Sequence, residues 1–370
     1  MSELSVLPLS AWLNTYKGIG IIAGPCSAET PEQLATTFKA LNVLDVGAIR
    51  VGVWKPRTRP GSFEGKGEEA LTWIKDLKSI IHKPIATEVA SPQHVELALK
   101  YGIDILWIGA RTSVNPFNVQ DLADALKGVD IPVMIKNPVN PDIALWIGAI
   151  ERIYGAGIRK IAAIHRGFSF FQKSEYRNPP TWQIPLELKR LYPNLPLIND
   201  PSHITGKRAL VASVAQKALD LNYDGLMIET HYQPENAWSD ADQQITPQQL
   251  KELIENLQIR QKTTNNTFFN NQLEILRKQI DSLDEELLGV LASRMRVVEQ
   301  IGLYKNDNNI SVFQLERWNE IFQTRPLWAE KMQLNKELIE GVFQLIHLES
   351  IKKQTEIAKK NNTENYAEKI

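Results

Sequence analysis

Residues 84–110 read PIATEVASPQHVELALKYGIDILWIGA, and the period of this stretch changes twice. PIATEV is a short apolar run with β-branched residues, SPQHVELALKYG repeats its apolar positions at helical spacing, and DILWIGA is again a continuous apolar run. Strand, helix and strand in succession make one parallel crossover unit. The alternation extends outward in both directions. GIIAG, AIRVGVW, PIATEV, DILWIGA, PVMIKN, KIAAIH, PLIND and GLMIE give eight candidate strands, separated by helical patterns such as PEQLATTFKALNVLDV. Continuous apolar strands joined by crossover helices imply a parallel sheet buried on both faces. Eight units in roughly 250 residues predict an α/β fold closed as a (β/α)8 TIM barrel rather than an open sheet.

The period changes for good after Leu257. Residues 258–271 are polar and rich in Asn and Thr and read as a linker. Beyond it no strand signal returns, and residues 272–358 read as a small all-helical domain of three helices, at 272–304, about 312–325 and 335–358. The barrel is expected over 1–257, and the tail 359–370 is expected to be disordered. The 42 Lys and Arg residues against 43 Asp and Glu residues, with 43% hydrophobic residues, suit an ordinary soluble globular protein. That balance argues against nucleic acid as a partner. The N-terminus has no basic leader region, and no apolar run reaches the ~20 residues of a membrane span, so a cytoplasmic protein without membrane attachment is expected.

In such a barrel the chemistry lies on the loops after each strand's C-terminal end. Cys26 follows the first strand and is the only cysteine, so it forms no internal disulfide. Lys55, Arg57 and Thr58 follow the second strand, Glu88 ends the third, Arg111 follows the fourth, and Lys136 ends the fifth. His165 and Arg166 follow the sixth strand, Asp200 and His203 the seventh, and Glu229 ends the eighth with Asp240 shortly after. Cys26, His203, Glu229 and Asp240 offer S, N, O and O donors, a mixture that suits a first-row transition ion better than Mg²⁺ or Ca²⁺. A core thiol beside a satisfied histidine is the competing reading of the same residues. Arg50, Lys55, Arg57, Arg111, Lys136 and Arg166 bring six cations to one mouth, which calls for phosphate or carboxylate ligands.

The ordered motifs AGPCSAE, KPRT, IGAR, DPSHITGKR and DGLMIETH…PENAWSDADQQ closely resemble the type I 3-deoxy-D-arabino-heptulosonate 7-phosphate (DAHP) synthases, of the beta subclass, over about residues 15–257. KPRT favours that enzyme over the sister octulosonate 8-phosphate synthase. The resemblance implies condensation of phosphoenolpyruvate with erythrose 4-phosphate and water. It also implies one divalent transition metal (Mn²⁺, Fe²⁺, Co²⁺ or Zn²⁺) on Cys26, His203, Glu229 and Asp240. By the same motifs Arg50, Lys55, Arg111, Lys136 and Arg166 would clamp phosphoenolpyruvate, Lys55 and Lys136 being catalytic, while Arg57 and Thr58 would meet the aldose phosphate. Two departures stand out: KNPVNP follows Lys136 where many relatives have an early glycine, and HRG stands where an acidic residue often precedes the arginine.

In the helical domain Leu276, Ile280, Leu283, Leu287, Leu291, Val298 and Ile301 fall within one arc of about 80° at roughly 100° per residue. Arg294 and Lys305 lie inside that stripe and Arg277 lies at its edge. Cations on a face meant for burial suggest a buried anion site. LRKQIDSLDEELLGVLASR, GLYK and FQLIHLESIKKQ resemble the AroQ-class (type II) chorismate mutases, which are intertwined helical dimers, over about residues 272–356. The resemblance implies that Arg277, Arg294 and Arg317 bind the carboxylates of chorismate and that Lys305 and Gln354 donate to its ether oxygen. Arg277 would serve the partner chain of a homodimer. Arg294, Lys305 and Gln354 count as catalytic, and Gln314 joins the substrate-binding positions. Gln314 and Trp318 depart from the Asp and Glu common in relatives, and a Trp cannot accept the hydrogen bond of the substrate hydroxyl. The expected protein is therefore a bifunctional enzyme of the shikimate pathway. Its rival is a synthase barrel whose helical domain only dimerises the chain or senses prephenate. Because about 17 residues precede the first strand, feedback is expected through prephenate bound at the helical site.

Overall fold

In the computed structural model, which describes residues 4–55, 61, 63–171, 174–261 and 263–367, all eight apolar runs contain strands. A two-residue strand, β1 (Thr15–Tyr16), precedes them. The barrel strands are β2 (Ile19–Gly24), β3 (Ala48–Arg50), β4 (Ile85–Val89), β5 (Ile105–Ile108), β6 (Val133–Lys136), β7 (Ile161–His165), β8 (Leu197–Asn199) and β9 (Gly225–Glu229). β2 to β9 pair in sequence order and in parallel, and β2 closes on β9 with Gly20 opposite Gly225 and Gly24 opposite Glu229. The helices between and after them are α1 (Pro31–Asn42), α2 (Glu68–Leu77), α3 (Pro92–Lys100), α4 (Pro116–Ala125), α5 (Ile143–Gly155), α6 (Gln183–Leu191), α7 (Pro201–Thr205), α8 (Arg208–Asp220) and α9 (Pro247–Asn256). Local chemistry fixes their starts. Thr30, Ser91, Asn115, Asp200 and Thr246 each cap a helix whose first turn carries a proline.

Side chains alternate in and out along each barrel strand. Ile22, Ala48, Ala86, Trp107, Met134, Ile164, Ile198 and Met227 pack together inside the ring, joined by Leu9 and Leu13. The N-terminal segment thus belongs to the barrel's inner core. A Cβ on Gly20 would lie 2.6 Å from the Leu9 side chain, so the close approach needs glycine. The strand run AIRVGVW is pairing strand only to Arg50. Beyond it the chain crosses over Cys26, where a Cβ on Gly52 would meet the Cys26 carbonyl at 2.5 Å. Among the described residues no helix is long and apolar enough to cross a membrane.

Contacts divide the chain into two units, Met1–Lys262 and Thr263–Ile370. The second holds α10 (Thr267–Asp307), α11 (Leu315–Lys331) and α12 (Lys336–Ala367), with α12 packed on both others. The helical period starts earlier than expected because Asn266 acts as an N-cap, its side chain accepting from Phe269 N, so TFFNN is the first turn of α10 rather than linker. α11 runs on through Pro326. α12 continues to Ala367, into the stretch expected to be disordered, where no Gly or Pro ends it. Within one chain much of the α10 stripe is left uncovered: Leu276, Ile280, Leu283 and Leu287 are exposed, and Val298 and Gly302 are the buried positions of the helix.

Candidate active sites

The β2–β9 seam brings the first site together. Register places Gly24 beside Glu229, so the loop after β2 carries Cys26 to the carboxylate that ends β9. Asp240 follows on the next loop in the left-handed region (φ 47°), which an aspartate tolerates better than most residues. One ligand atom each from Cys26, Glu229 and Asp240 lies within 4.8 Å of the others, and Cys26 Sγ is 3.3 Å from Asp240 Oδ2. His203, the fourth expected donor, stands just outside that cluster with Nε2 3.7 Å from Glu229 Oε1. Its Nδ1 is engaged by Asp200 at 3.0 Å, which leaves Nε2 as the free ring nitrogen.

These residues fit a divalent transition ion. Glu229 Oε1 is buried without a hydrogen bond, although Arg50 Nη2 approaches it to 3.1 Å. Burial, then the negative charge of Glu229, pushes the Cys26 thiol up to about 12, with Lys55 acting against them. A thiol so placed keeps its proton unless a cation takes the proton's place. Asp240 is held below the usual carboxylate range: burial works the other way and is outweighed by His203 and Arg177.

Several supporting groups escaped the sequence reading. Gln243 donates to Glu229 Oε2 at 2.6 Å, Gln244 accepts from Cys26 N at 3.0 Å, and Arg177 donates to Asp240 Oδ1 at 2.9 Å. The two glutamines sit in the DADQQ run beside Asp240, so proximity to a ligand was their only signal. Asp200, noted in sequence without a role, holds both His203 and Lys136, the latter at 2.8 Å.

Of the six cations read from sequence, Arg50 and Lys136 both lie over the Trp107 ring. Arg50 is 1% exposed, lies over the Trp107 ring at 4.9 Å, and has Nε and Nη1 buried without partners. Lys55 Nζ is 3.0 Å from Cys26 Sγ. Burial and the nearby charges of Arg177 and Arg111 bring Arg166 down to about 10, against the pull of Asp200. Arg57 and Thr58 lie outside the described residues. Both departures from the family pattern have structural roles. Asn137, after Lys136, accepts from Arg166 N at 2.7 Å and donates to Gly167 O at 2.8 Å, tying the loops after β6 and β7 together. His165 is fully buried, with Nε2 2.6 Å from Pro180 O and Nδ1 2.9 Å from the Tyr223 hydroxyl. It is part of the packing and not of the mouth.

The second site lies among α10, α11 and α12. Arg294 is half-buried and donates to Ser350 Oγ at 2.8 Å, and Lys305 donates to Val312 O at 2.6 Å. Burial and then the charges of Arg325 and Arg317 lower Arg294. Gln354 is buried with Oε1 unpaired. Arg317 pairs with Glu320 at 2.5 Å, Gln314 is exposed at the start of α11, and Arg277 is exposed on α10, away from any described partner. Ser350 and Arg325 were missed. Ser350 sits inside the FQLIHLESIKKQ motif, while Arg325 gave no pattern signal at all.

Residues 17–266 match the family model described as DAHP synthetase I family, and residues 276–355 match that of chorismate mutase type II. A phospho-2-dehydro-3-deoxyheptonate aldolase of Thermotoga maritima is 32% identical over 237 residues, 64% of this chain and 68% of that protein. The crystal structure of the enzyme from that organism, described as a DAHP synthase, superposes with a TM-score of 0.58 over 64% of this chain and 67% of its own. For the helical unit, the T-protein of Haemophilus influenzae is 38% identical over 82 residues, 22% of each chain. The closed parallel barrel and the match over 17–266 place this chain in the DAHP synthetase I family, with a chorismate mutase type II domain fused behind the barrel.

Proposed function

We propose that the chain condenses phosphoenolpyruvate with erythrose 4-phosphate and water at the barrel mouth, and rearranges chorismate to prephenate in the helical unit. The observation that carries the first activity is the meeting of Cys26, Glu229 and Asp240 beside unspent Arg50 donors. Cys26, His203, Glu229 and Asp240 would hold the metal, Mn²⁺, Fe²⁺, Co²⁺ or Zn²⁺, which supplies Lewis-acid polarisation of the aldehyde carbonyl. Arg50, Arg111, Lys136 and Arg166 hold phosphoenolpyruvate, and their charge offsets the repulsion between two anionic substrates. Arg57 and Thr58 take the aldose phosphate. The enol carbon of phosphoenolpyruvate attacks the aldehyde carbon, and water adds at the carbon that becomes cationic. Phosphate then leaves with its bridging oxygen. Lys55 keeps an ammonium at the edge of the donor cluster, where it can pass a proton to the aldehyde oxygen as charge builds there.

At the helical site Arg277, Arg294 and Arg317 bind two carboxylates, and Lys305 and Gln354 donate to the ether oxygen that gains negative charge as its bond lengthens. The bare apolar stripe of α10 supports dimerisation through the helical unit, which would bring Arg277 to the partner's site. Membership of the beta subclass, a cytoplasmic location and inhibition of the synthase by prephenate belong to the same reading. The test is to assay both reactions on the intact chain, with and without chelator. Synthase turnover that chelation stops while chorismate consumption continues is the expected result. An intact, metal-loaded chain that releases no phosphate from the two phosphorylated substrates refutes the barrel assignment.

A further inference from the structure

Cys26 and Asp240 stand on different loops, and the residues next to them in sequence are tied together. Ser27 Oγ lies 2.8 Å from Ser239 Oγ, one residue from each of the two donors. Ser27 Oγ also donates to Glu29 Oε1 at 3.2 Å, and the same oxygen accepts from Trp238 N at 2.9 Å. A carboxylate only accepts, so it sets the direction of the chain: Ser239 donates to Ser27, and Ser27 to Glu29. Gln244 makes a second bridge, accepting from Cys26 N at 3.0 Å and donating to Ser239 O at 2.9 Å. The glutamate is fastened in turn by Gln33 of α1, which accepts from Glu29 N at 3.2 Å and donates to Ser27 O at 3.4 Å. Ser27, Glu29, Gln33, Ser239 and Gln244 are all buried, where such bonds gain strength from their neighbours. None of them has a part in the reaction described above except as a support.

We propose that Glu29 is a positioning residue of the metal centre, its buried carboxylate holding the Cys26 and Asp240 loops at the spacing an ion needs. The inference rests on the metal reading above. Cys26 Sγ and Asp240 Oδ2 are 3.3 Å apart, and two anionic donors brought that close repel until a cation lies between them. The loops that carry them therefore need a restraint of their own. Asp240 also sits in the left-handed region, a conformation that persists where its surroundings hold it. Ser239, the residue before it, is held through both its hydroxyl and its carbonyl. Glu29 acts on the two donors through Ser27 and Trp238.

The test loads the intact chain with Co²⁺ and reads two quantities besides turnover. One is affinity, by competition with a chelator, and the other is the near-ultraviolet band of a thiolate bound to cobalt. Glu29→Ala should weaken Co²⁺ affinity about 10- to 100-fold, the scale of losing a group that orients metal ligands, and should weaken the band. Glu29→Gln, whose amide oxygen can still accept from Trp238 N and Ser27, should recover most of both. A packing role alone would lower the urea midpoint of the metal-free protein and leave affinity and band unchanged in the folded variant, which overturns the proposal. Ser27→Ala and Ser239→Ala remain readable if Glu29→Ala fails to fold. Each should cost about 2- to 10-fold in affinity, and the double variant should be no weaker than Ser27→Ala, because both break one chain of bonds. Losses that add, or no loss, overturn the proposal. A wild-type chain that binds no Co²⁺ overturns the metal reading and this inference with it, an outcome distinct from a loaded chain indifferent to residue 29.

Discussion

At the barrel mouth Arg50, Lys136 and Arg177 each meet a carboxylate, whereas of the described helical cations Arg277, Arg294, Lys305 and Arg317 only Arg317 does. Arg50 meets Glu229, Lys136 and His203 share Asp200, and Arg177 meets Asp240, all within a fold closed by one chain. In the helical unit Arg294 finds a hydroxyl and Lys305 a carbonyl, and burial, then the charges of Arg325 and Arg317, lower Arg294. The first arrangement is a scaffold that holds ligands in place before substrate comes. The second holds like charges together, which the proposed dianionic substrate would relieve. Substitutions should therefore act differently in the two regions, on metal and geometry in one and on substrate charge in the other.

The largest expected effect tests that separation. Cys26→Ala removes the one soft donor and should cut synthase turnover by ~10³-fold or more, since several kcal/mol of carbonyl polarisation are at stake. Chorismate consumption should stay near the wild-type rate. Metal-dependent synthase activity surviving in the variant removes Cys26 from the site. A parallel loss of both activities breaks the comparison itself.

Arg294→Ala probes the other side. It should reduce kcat/KM for chorismate by roughly 10²-fold, the scale of a charge-assisted contact to developing or fixed negative charge. Its urea midpoint should stay level or rise, because the cation it removes has cationic neighbours and no carboxylate partner. A marked fall in stability, measured beside the kinetics, would show the guanidinium to be a structural prop.

How far this contrast was legible beforehand follows from what each feature depends on. The eight strands and the meeting of Cys26, Glu229 and Asp240 are legible because a parallel barrel imposes apolar runs and sets its chemistry at their ends. The α10 stripe with Arg294 and Lys305 inside it was readable from helical period alone. Asn266 reads as linker in sequence yet caps α10, because Asn serves loops and caps equally well. Gln243 and Arg177 were invisible for a different reason: each matters through a partner at least 14 residues away, and no local pattern encodes that pairing.

A smaller effect sharpens the barrel half. Asp200 serves two masters, orienting His203 through Nδ1 and holding Lys136 Nζ. Asp200→Asn should weaken metal affinity about 10- to 100-fold, the usual consequence of losing the group that orients a ligating histidine. Competition with a chelator measures it. KM for phosphoenolpyruvate should rise as well, because Lys136 is freed. Unchanged affinity in the folded variant makes Asp200 a partner of Lys136 alone.

The smallest effect concerns a group that faces neither site. His165 is buried against Trp182 and Tyr223, and burial brings it down to about 3, helped by Arg166 and opposed by the hydrogen bond to Pro180 O and by Asp200. In the unfolded chain its pKa returns to about 6.5. The unfolded state thus binds one proton more than the folded state across the window between those values. Stability is fully present above pH 6.5 and is lost progressively as pH falls toward 3, at up to about 1.4 kcal/mol per pH unit from this residue. His165→Gln is uncharged throughout. It should be less stable than the wild type at pH 7.5, because the Tyr223 hydroxyl and Asn199 amide lose their ring acceptor. The gap should narrow at pH 5, where only the wild type is penalised by proton uptake on unfolding. Urea unfolding of both proteins at the two pH values measures this difference of slopes, with every other titrating group common to both. Parallel curves would mean that His165 titrates alike in the folded and unfolded chain, and that it is not the sealed packing residue its contacts describe.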